Sequence, residues 1–252
     1  MSRDHRAFML RSAPAMMDRS IDRAKLKAIV FDVDGTLYRQ GPLRRAMALR
    51  LLWAHAVRPM RGFRTFRVLS AYRTAQERMR DGTISTDLAD AQIRFACERT
   101  NIERTFVAAC VARWMEQEPL SLVAGCVWPG LREFLTACKE RGLRLGVLSD
   151  YPAEAKLEAL GLRDLFDVVL CAQAPDIGVF KPHPRGLEVA LQRLDATAAE
   201  SLYVGDRVDA DAAAAAAAGV PCAILTSASN GGDDTWLKVA EYAELRDLLF
   251  SS

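Results

Sequence analysis

The sequence predicts an α/β protein: a doubly wound, mostly parallel sheet with a smaller α-helical unit inserted near its start. Three observations predict it. From residue 129 onward, short apolar runs alternate with helical stretches. From Pro42 to about Gln117 the pattern is helical and no strand interrupts it. Carboxylates, a hydroxyl and a lysine follow directly after the apolar runs. Alternating strands and helices imply right-handed crossovers and a parallel sheet covered on both faces.

The first strand is read at 26–31 (LKAIVF), and it ends in two aspartates one residue apart. After Pro42, the stretch PLRRAMALRLLWAHAV puts Leu43, Met47, Leu51 and Ala54 along one helical face. Further helical runs at about 63–80, 87–99 and 103–117 are separated by RPMRG, DGTIST and TNIE. Together they predict a bundle-like insertion of roughly four helices. Pro129 then opens a helix that Gly142 closes. Strand 143–148, helix 153–160 with Gly161 past its end, and strand 167–171 follow. A helix at about 184–194 and strand 201–204 lead to a helix holding seven consecutive alanines, Ala212–Ala218. The small side chains let that helix approach the sheet closely. Strand 221–225 and a final helix from about Asp234 to Phe250 complete the chain. The expected organisation is an N-terminal extension over 1–24, a core from 25–38 and 126–252, and the helical unit over 39–125. The crossings near 39–42 and 118–128 have the Gly and Pro content of hinges.

Half of the 252 residues are hydrophobic and 26% are charged, an ordinary globular profile. No apolar run approaches the 18 or more residues needed to cross a bilayer, so no membrane partner is expected. The first 24 residues are Arg-rich, carry three aspartates and contain no apolar signal core, which argues against a secretory leader. Six scattered cysteines without a C-x-x-C pair read as reduced core residues and fit the cytoplasm. Net charge is only +2, yet between Arg39 and Arg80 there are eleven arginines and a single acid, Glu77. Such a stretch is either a solvated basic face or a surface facing an anion, nucleic acid or acidic lipid.

Ligands bind at the carboxyl ends of the strands in open parallel sheets. After the first strand come Asp32, Asp34, Gly35 and Thr36; after the second come Ser149 and Asp150. The third is followed by a loop ending GVFKPHP, with Lys181, and the fourth by GDRVDAD, with Asp206, Asp209 and Asp211. Four strand ends thus deliver carboxylates, a hydroxyl and a lysine to one edge. Hard oxygen ligands suit Mg²⁺, a carboxylate can attack phosphorus, and a lysine and a hydroxyl can stabilise the transferring group. Two neighbouring carboxylates repel unless a cation, a proton or a substrate resolves them.

These segments resemble, in order, the four motifs of the haloacid dehalogenase (HAD) superfamily, with its phosphoglycolate phosphatase-like members the nearest pattern. DVDGT is similar to the first motif, which implies Asp32 as nucleophile and Asp34 as general acid/base. LGVLSD resembles the second, FKPHP the third and YVGDRVDAD the fourth. The resemblance implies catalytic roles for Ser149 and Lys181 beside the two aspartates. It also implies a Mg²⁺ site at Asp32, Asp206 and the main-chain carbonyl of Asp34, with Asp211 as a supporting acid of the metal set. Thr36, Ser149, Asp150 and Lys181 make up the phosphate-binding set. Asp150 stands where many relatives have Asn, and is read as a loop or helix-start residue. Asp209 either buttresses the metal site or caps the Ala-rich helix. The insertion resembles the family's C1-type helical cap, and Arg39, Arg44 and Arg45, nearest in sequence to the catalytic loop, are the substrate candidates. The activity implied is a Mg²⁺-dependent phosphatase acting on a small phosphorylated metabolite through an aspartyl-phosphate, with no nucleic-acid partner. The alternatives are a phosphomutase or haloacid-type dehalogenase on the same scaffold, or an Arg-rich binding module with a vestigial core.

Overall fold

The computed structural model describes residues 21–226 and 235–251. Most of the extension expected over 1–24 therefore lies outside the described residues. Six strands, β1 (Ala28–Phe31), β2 (Arg144–Ser149), β3 (Val168–Cys171), β4 (Ser201–Gly205), β5 (Cys222–Leu225) and β6 (Leu237–Val239), form one sheet in the order β3-β2-β1-β4-β5-β6. Every pairing is parallel. Phe31 is level with Val147 on one side and with Val204 on the other, so the ends of β1, β2 and β4 are in step. The chain leaves β1 toward β2 and β3 and later returns to its other side at β4. The reversal of strand order falls beside β1, where such sheets bind ligands.

The period of two along β1 divides the core. Ile29 and Phe31 pack with helices α6 (Leu131–Glu140), α7 (Glu154–Ala159) and α10 (Tyr242–Phe250) through Phe134, Leu157 and Tyr242. Ala28 and Val30 face α8 (Arg185–Arg193) and α9 (Ala213–Ala218) through Leu187, Ala190 and Ala215. With both faces covered, all four β1 residues are buried. The polyalanine stretch does pack: Ala214 and Ala215 are buried, and Gly219 ends the helix in a left-handed conformation.

The insertion consists of α1 (Gln40–Ala54), α2 (Pro59–Arg78), α3 (Leu88–Thr100) and α4 (Arg104–Val111). A π-helical stretch at Ala112–Gln117 and a short α5 (Leu120–Val123) carry the chain back. The helices share a small core of Val68, Tyr72, Ala96, Val107, Val111 and Trp114. The segments read as hinges are largely helical: α1 already begins at Gln40, and α5 and a 3₁₀ turn fill Leu120–Cys126. The outgoing and returning chains lie side by side, with the Arg39 amide donating to the Cys126 carbonyl at 2.8 Å.

The helix expected from about Asp234 is only half present. Its start lies outside the described residues, and Leu237–Val239 is the sixth strand, paired with β5. Trp236 and Val239 are buried, and the helix begins at Tyr242, where Glu244 accepts from the Ala240 amide at 2.6 Å. Three residues are too few to establish a period of two in the sequence.

Candidate active site

Each strand end supplies one part of a single cluster. The Asp32 amide donates to the Val204 carbonyl at 2.9 Å, which extends the sheet ladder one residue beyond β1 and fixes Asp32 at the rim. The loop that follows is held by two distant side chains. Trp128 Nε1 donates to the Gly35 carbonyl at 2.8 Å, and the Tyr242 hydroxyl donates to the Thr36 carbonyl at 2.9 Å. Gly35 has φ +116°, and a Cβ there would lie 2.0 Å from Asp206 Oδ2. Only glycine allows the two loops to close this tightly.

Lys181 Nζ lies at the centre. It donates to Asp32 Oδ1 at 2.6 Å, to Asp211 Oδ1 at 2.7 Å and to the Tyr203 hydroxyl at 3.2 Å. Asp32 Oδ2 accepts from Thr36 Oγ1 at 3.1 Å, so both oxygens of Asp32 are oriented. Asp211 is fully engaged: Oδ1 also accepts from the Tyr203 hydroxyl at 3.0 Å, and Oδ2 accepts from the amides of Asp206 and Arg207 at 3.2 and 3.0 Å. One oxygen from each of Asp32, Asp206 and Asp211 lies within 4.8 Å of the others. Three carboxylates share one lysine, which leaves net negative charge in a largely buried space.

The electrostatics follow from that imbalance. Burial pushes the Asp32 carboxyl up to about 6, against the pull of the adjacent Lys181 ammonium. Burial, reinforced by Asp32 and Asp211, pushes Asp206 up to about 8. Burial would drive the proton off Lys181, yet Asp211 and Asp32 outweigh it and hold the ammonium well above its ordinary value. A divalent cation fits this donor set. It would relieve the charge, and the set is all oxygen, with no His or Cys. Asp206 is the natural ligand together with Asp32, whereas both oxygens of Asp211 already serve the lysine and the loop backbone.

Asp34, two residues from Asp32, lies in a different environment. Burial would raise its carboxyl, but Lys156 and the Tyr38 hydroxyl overcome this and keep it below the usual carboxylate range. Lys156 Nζ donates to Asp34 Oδ1 at 2.6 Å, the Tyr38 hydroxyl donates to the same oxygen, and Gln40 Nε2 donates to the Asp34 carbonyl at 2.7 Å. Lys156 was absent from the candidate residues. Its signal is in the sequence nonetheless, because Ala153, Lys156, Leu157 and Leu160 occupy one helical face and all four are buried.

Ser149 is buried at the end of β2, where its Oγ accepts from the Tyr151 amide at 3.2 Å. Asp150 is more than a loop residue. Its Oδ2 accepts from Gln76 Nε2 and from Arg80 Nη2, both at 2.8 Å, and both donors come from the helical insertion. Arg80 also donates through Nη1 to the Lys181 carbonyl and pairs with Glu77 at 3.3 Å. It thereby clasps the insertion to the loops of Asp150 and Lys181 at once. Beside it Tyr151 stacks on Tyr72 with ring centroids 5.9 Å apart, and the Tyr151 hydroxyl donates to Gln76 Oε1 at 2.7 Å. Asp209 lies outside the acidic cluster: it pairs with Arg207, which reaches Glu77 of α2 at 3.0 Å. Arg39, Arg44 and Arg45 are exposed, and no hydrogen bond or ion pair among the described residues joins their side chains to the cluster. The arginine of this stretch that reaches the strand-end edge is Arg80, the last of the eleven.

A strand-edge cluster of this composition on a parallel sheet of this order defines a class, and comparison with known proteins gives it a name. The chain belongs to the haloacid dehalogenase-like hydrolases: the model of that family matches residues 26–219, which include every cluster residue described above. A phosphoglycolate phosphatase of Rhodospirillum rubrum is 32% identical over 206 residues, covering 79% of each chain. A ribulose-1,5-bisphosphate 5-phosphatase of Halopiger xanaduensis is 31% identical over 224 residues, covering 82% of this chain and 87% of the relative. Among solved structures, the putative HAD-hydrolase YfnB of Bacillus subtilis, bound to magnesium, superposes with a TM-score of 0.63 at 14% identity, covering 89% of this chain and 98% of that one. The protein is thus a hydrolase with the fold expected from its sequence.

Proposed function

We propose that the protein is a Mg²⁺-dependent phosphatase that hydrolyses a small phosphorylated metabolite through a phosphoryl group carried on Asp32. The observation that carries this reading is the pairing of two aspartates in opposed environments. Asp32 is held by Lys181 at 2.6 Å and faces Asp206, while Asp34 is held apart by Lys156 at 2.6 Å. An attacking carboxylate and a separate proton carrier two residues away are what phosphoryl transfer to and from the enzyme needs.

In this mechanism Asp32, oriented by its Lys181 and Thr36 contacts, attacks phosphorus with one carboxylate oxygen, forming an acyl phosphate as the bond to the leaving oxygen breaks. Asp34, ionised beside Lys156 before substrate binds, takes up the proton of a monoanionic phosphate ester and delivers it to that oxygen. It then takes one from the water that attacks the phosphoryl group, which restores Asp32. Lys181, Ser149 and Thr36 supply donors around the transferring oxygens, preorganised by burial. Asp32, Asp206 and the Asp34 carbonyl would hold Mg²⁺, which supplies neutralisation of charge between the carboxylates and the phosphate. Asp211 supports this indirectly, by fixing Lys181 and the loop at Asp206. The helical insertion acts as a cap that excludes water over the strand ends, with residues 39–125 as cap and 25–38 and 126–252 as core. Arg39, Arg44 and Arg45 remain the candidates for a distal anion on the substrate.

The relatives that act on phosphorylated small molecules, one on phosphoglycolate and one on ribulose-1,5-bisphosphate by name, support the substrate class. A haloacid-type dehalogenase would have no use for a proton carrier toward a phosphoester or for Mg²⁺. The test is a panel of phosphorylated metabolites and 2-haloacids assayed with Mg²⁺, with Ca²⁺ and with chelator. Release of phosphate that needs Mg²⁺ and is suppressed by Ca²⁺ is expected. Halide release, or phosphate release undiminished by chelator, would contradict the proposal.

A further inference from the structure

Nine large hydrophobic side chains are exposed among the described residues, and seven of them lie between Leu49 and Phe66. The seven are Leu49, Leu52, Trp53, Val57, Met60, Phe63 and Phe66, with Trp53 80% and Val57 89% exposed. They cover the turn where the end of α1 meets the start of α2. Leu49, Leu52 and Trp53 stand at i, i+3 and i+4 on one outer face of α1. Met60, Phe63 and Phe66 recur every three residues on α2, whose inner face, Thr65, Val68 and Tyr72, is buried. Scattered apolar residues on a surface need no explanation, but a concentrated apolar patch marks something that binds.

The charge around the patch identifies what. Between Arg39 and Gln76 there are nine arginines and no acid. Some are engaged within the insertion: Arg50 pairs with Glu118, Arg67 donates to the Thr100 carbonyl and Arg64 lies over the Phe106 ring. Arg58 and Arg61 sit in the midst of the apolar residues, are exposed, and have no side-chain partner among the described residues. A second copy docked here about a two-fold axis would set arginine against arginine, with no acid in the span to answer them. A nucleic acid would satisfy the arginines but leave Leu49, Leu52, Val57 and Met60 in water. A surface that is negatively charged outside and apolar just beneath meets both demands.

We propose that the α1–α2 tip is a docking surface for an anionic phospholipid bilayer, with Trp53, Val57, Met60 and Phe63 entering the headgroup boundary and Arg58 and Arg61 facing lipid phosphates. Basic amphipathic segments with Trp, Phe and Leu on the apolar side lie in the bilayer interface in this way. No described helix is long and apolar enough to cross a membrane, and docking on a surface requires none. The absence of a crossing segment led to the expectation of no membrane partner; a helix tip resting on lipid headgroups is a separate case.

The experiment uses the full chain with vesicles of phosphatidylcholine alone and of phosphatidylcholine containing about one-third phosphatidylglycerol. Co-sedimentation with the anionic vesicles is expected, weakening with added salt, with little on the neutral ones. Trp53 is the exposed tryptophan, whereas Trp114 and Trp236 are buried, so a blue shift of emission on binding that is lost in Trp53→Phe reports its insertion. Arg58→Ala/Arg61→Ala should weaken binding about thirty-fold, from about one kcal/mol per arginine near an anionic surface. Trp53→Ser/Phe63→Ser should abolish binding, and both variants should keep the parent's unfolding midpoint. Absence of binding to either vesicle, or binding indifferent to both variants, would overturn the proposal. So would a dimer that Trp53→Ser/Phe63→Ser dissociates, or retention on single-stranded RNA that anionic vesicles do not compete.

Discussion

Replacing Arg80 by alanine removes the clasp between the helical insertion and the strand-end cluster, and its cost follows from the geometry. The pair with Glu77 contributes little, because Glu77 is about half exposed. The pair with Asp150 is different: the two side chains are only 10% and 11% exposed. Removing one partner of such a pair leaves an uncompensated buried carboxylate and costs about 3–5 kcal/mol. Gln76 remains to Asp150, but Oδ1 has no hydrogen-bond partner among the described residues even in the intact protein. Asp150→Asn keeps an acceptor for Arg80 and should cost less, about 1.5–3 kcal/mol. In Arg80→Ala/Asp150→Asn the stranded charge is gone, so the double variant should be about 2 kcal/mol more stable than the sum of the singles predicts. For a chain of this length, Arg80→Ala alone should lower the melting temperature by roughly 10 °C. Because Arg80 also holds the Lys181 carbonyl, kcat for p-nitrophenyl phosphate should fall about tenfold or more. The assay is a double-mutant cycle by thermal unfolding, with kcat measured on each variant. Additive losses, or an Arg80→Ala enzyme with parental kcat, would refute the reasoning.

Three further outcomes are expected. Gly35→Ala places a Cβ 2.0 Å from Asp206 Oδ2 at φ +116°, so it should abolish the Mg²⁺-induced rise in melting temperature and cut hydrolysis about 10²-fold. A Mg²⁺ response equal to the parent's would contradict this. Without metal, Asp32 and Asp206 have carboxyls raised from 3.8 to about 6 and about 8, so the folded state holds more protons than the unfolded one and stability falls as pH rises from about 4 through about 8. The Mg²⁺-induced stabilisation should therefore grow over the same range, and unfolding scans with and without Mg²⁺ at stepped pH would show a flat difference if the cluster were not the site. Lys156→Met should destabilise by about 1.5–3 kcal/mol, and adding Asp34→Asn should restore most of the loss, since the stranded charge is then removed. Failure of the second substitution to restore stability would mean that Lys156 acts through packing alone.

The strand-end cluster was legible because its parts are local: each strand end carries its own short motif, and parallel topology brings the ends together. Asp32, Thr36, Lys181 and Asp211 meet through direct hydrogen bonds and Asp206 lies beside them. Five of the six strands were legible for the same reason, as bounded apolar runs. The sixth was not, because its three residues merge into a helical pattern that resumes at Tyr242. What the sequence hid is the partnership of residues far apart in the chain. Nothing local says that Lys156 reaches Asp34, 122 residues away, or that Arg80 rather than Arg44 turns inward to Asp150, 70 residues on. The ion pair of Asp150 was not legible because its counter-charge comes from another unit of the fold.

The claim that Asp32 carries the phosphoryl group is tested most directly by trapping it. Asp34→Asn should accumulate the intermediate, since the residue that activates water is lost while Asp32, Lys181 and Asp206 remain. The variant is incubated with Mg²⁺ and acetyl phosphate, quenched in acid, reduced with borohydride and digested for mass spectrometry. Conversion of Asp32 to homoserine is expected in Asp34→Asn and in neither Asp32→Asn nor the chelator-treated sample. A modified residue other than Asp32, or phosphate release that persists in Asp32→Asn, would contradict the account.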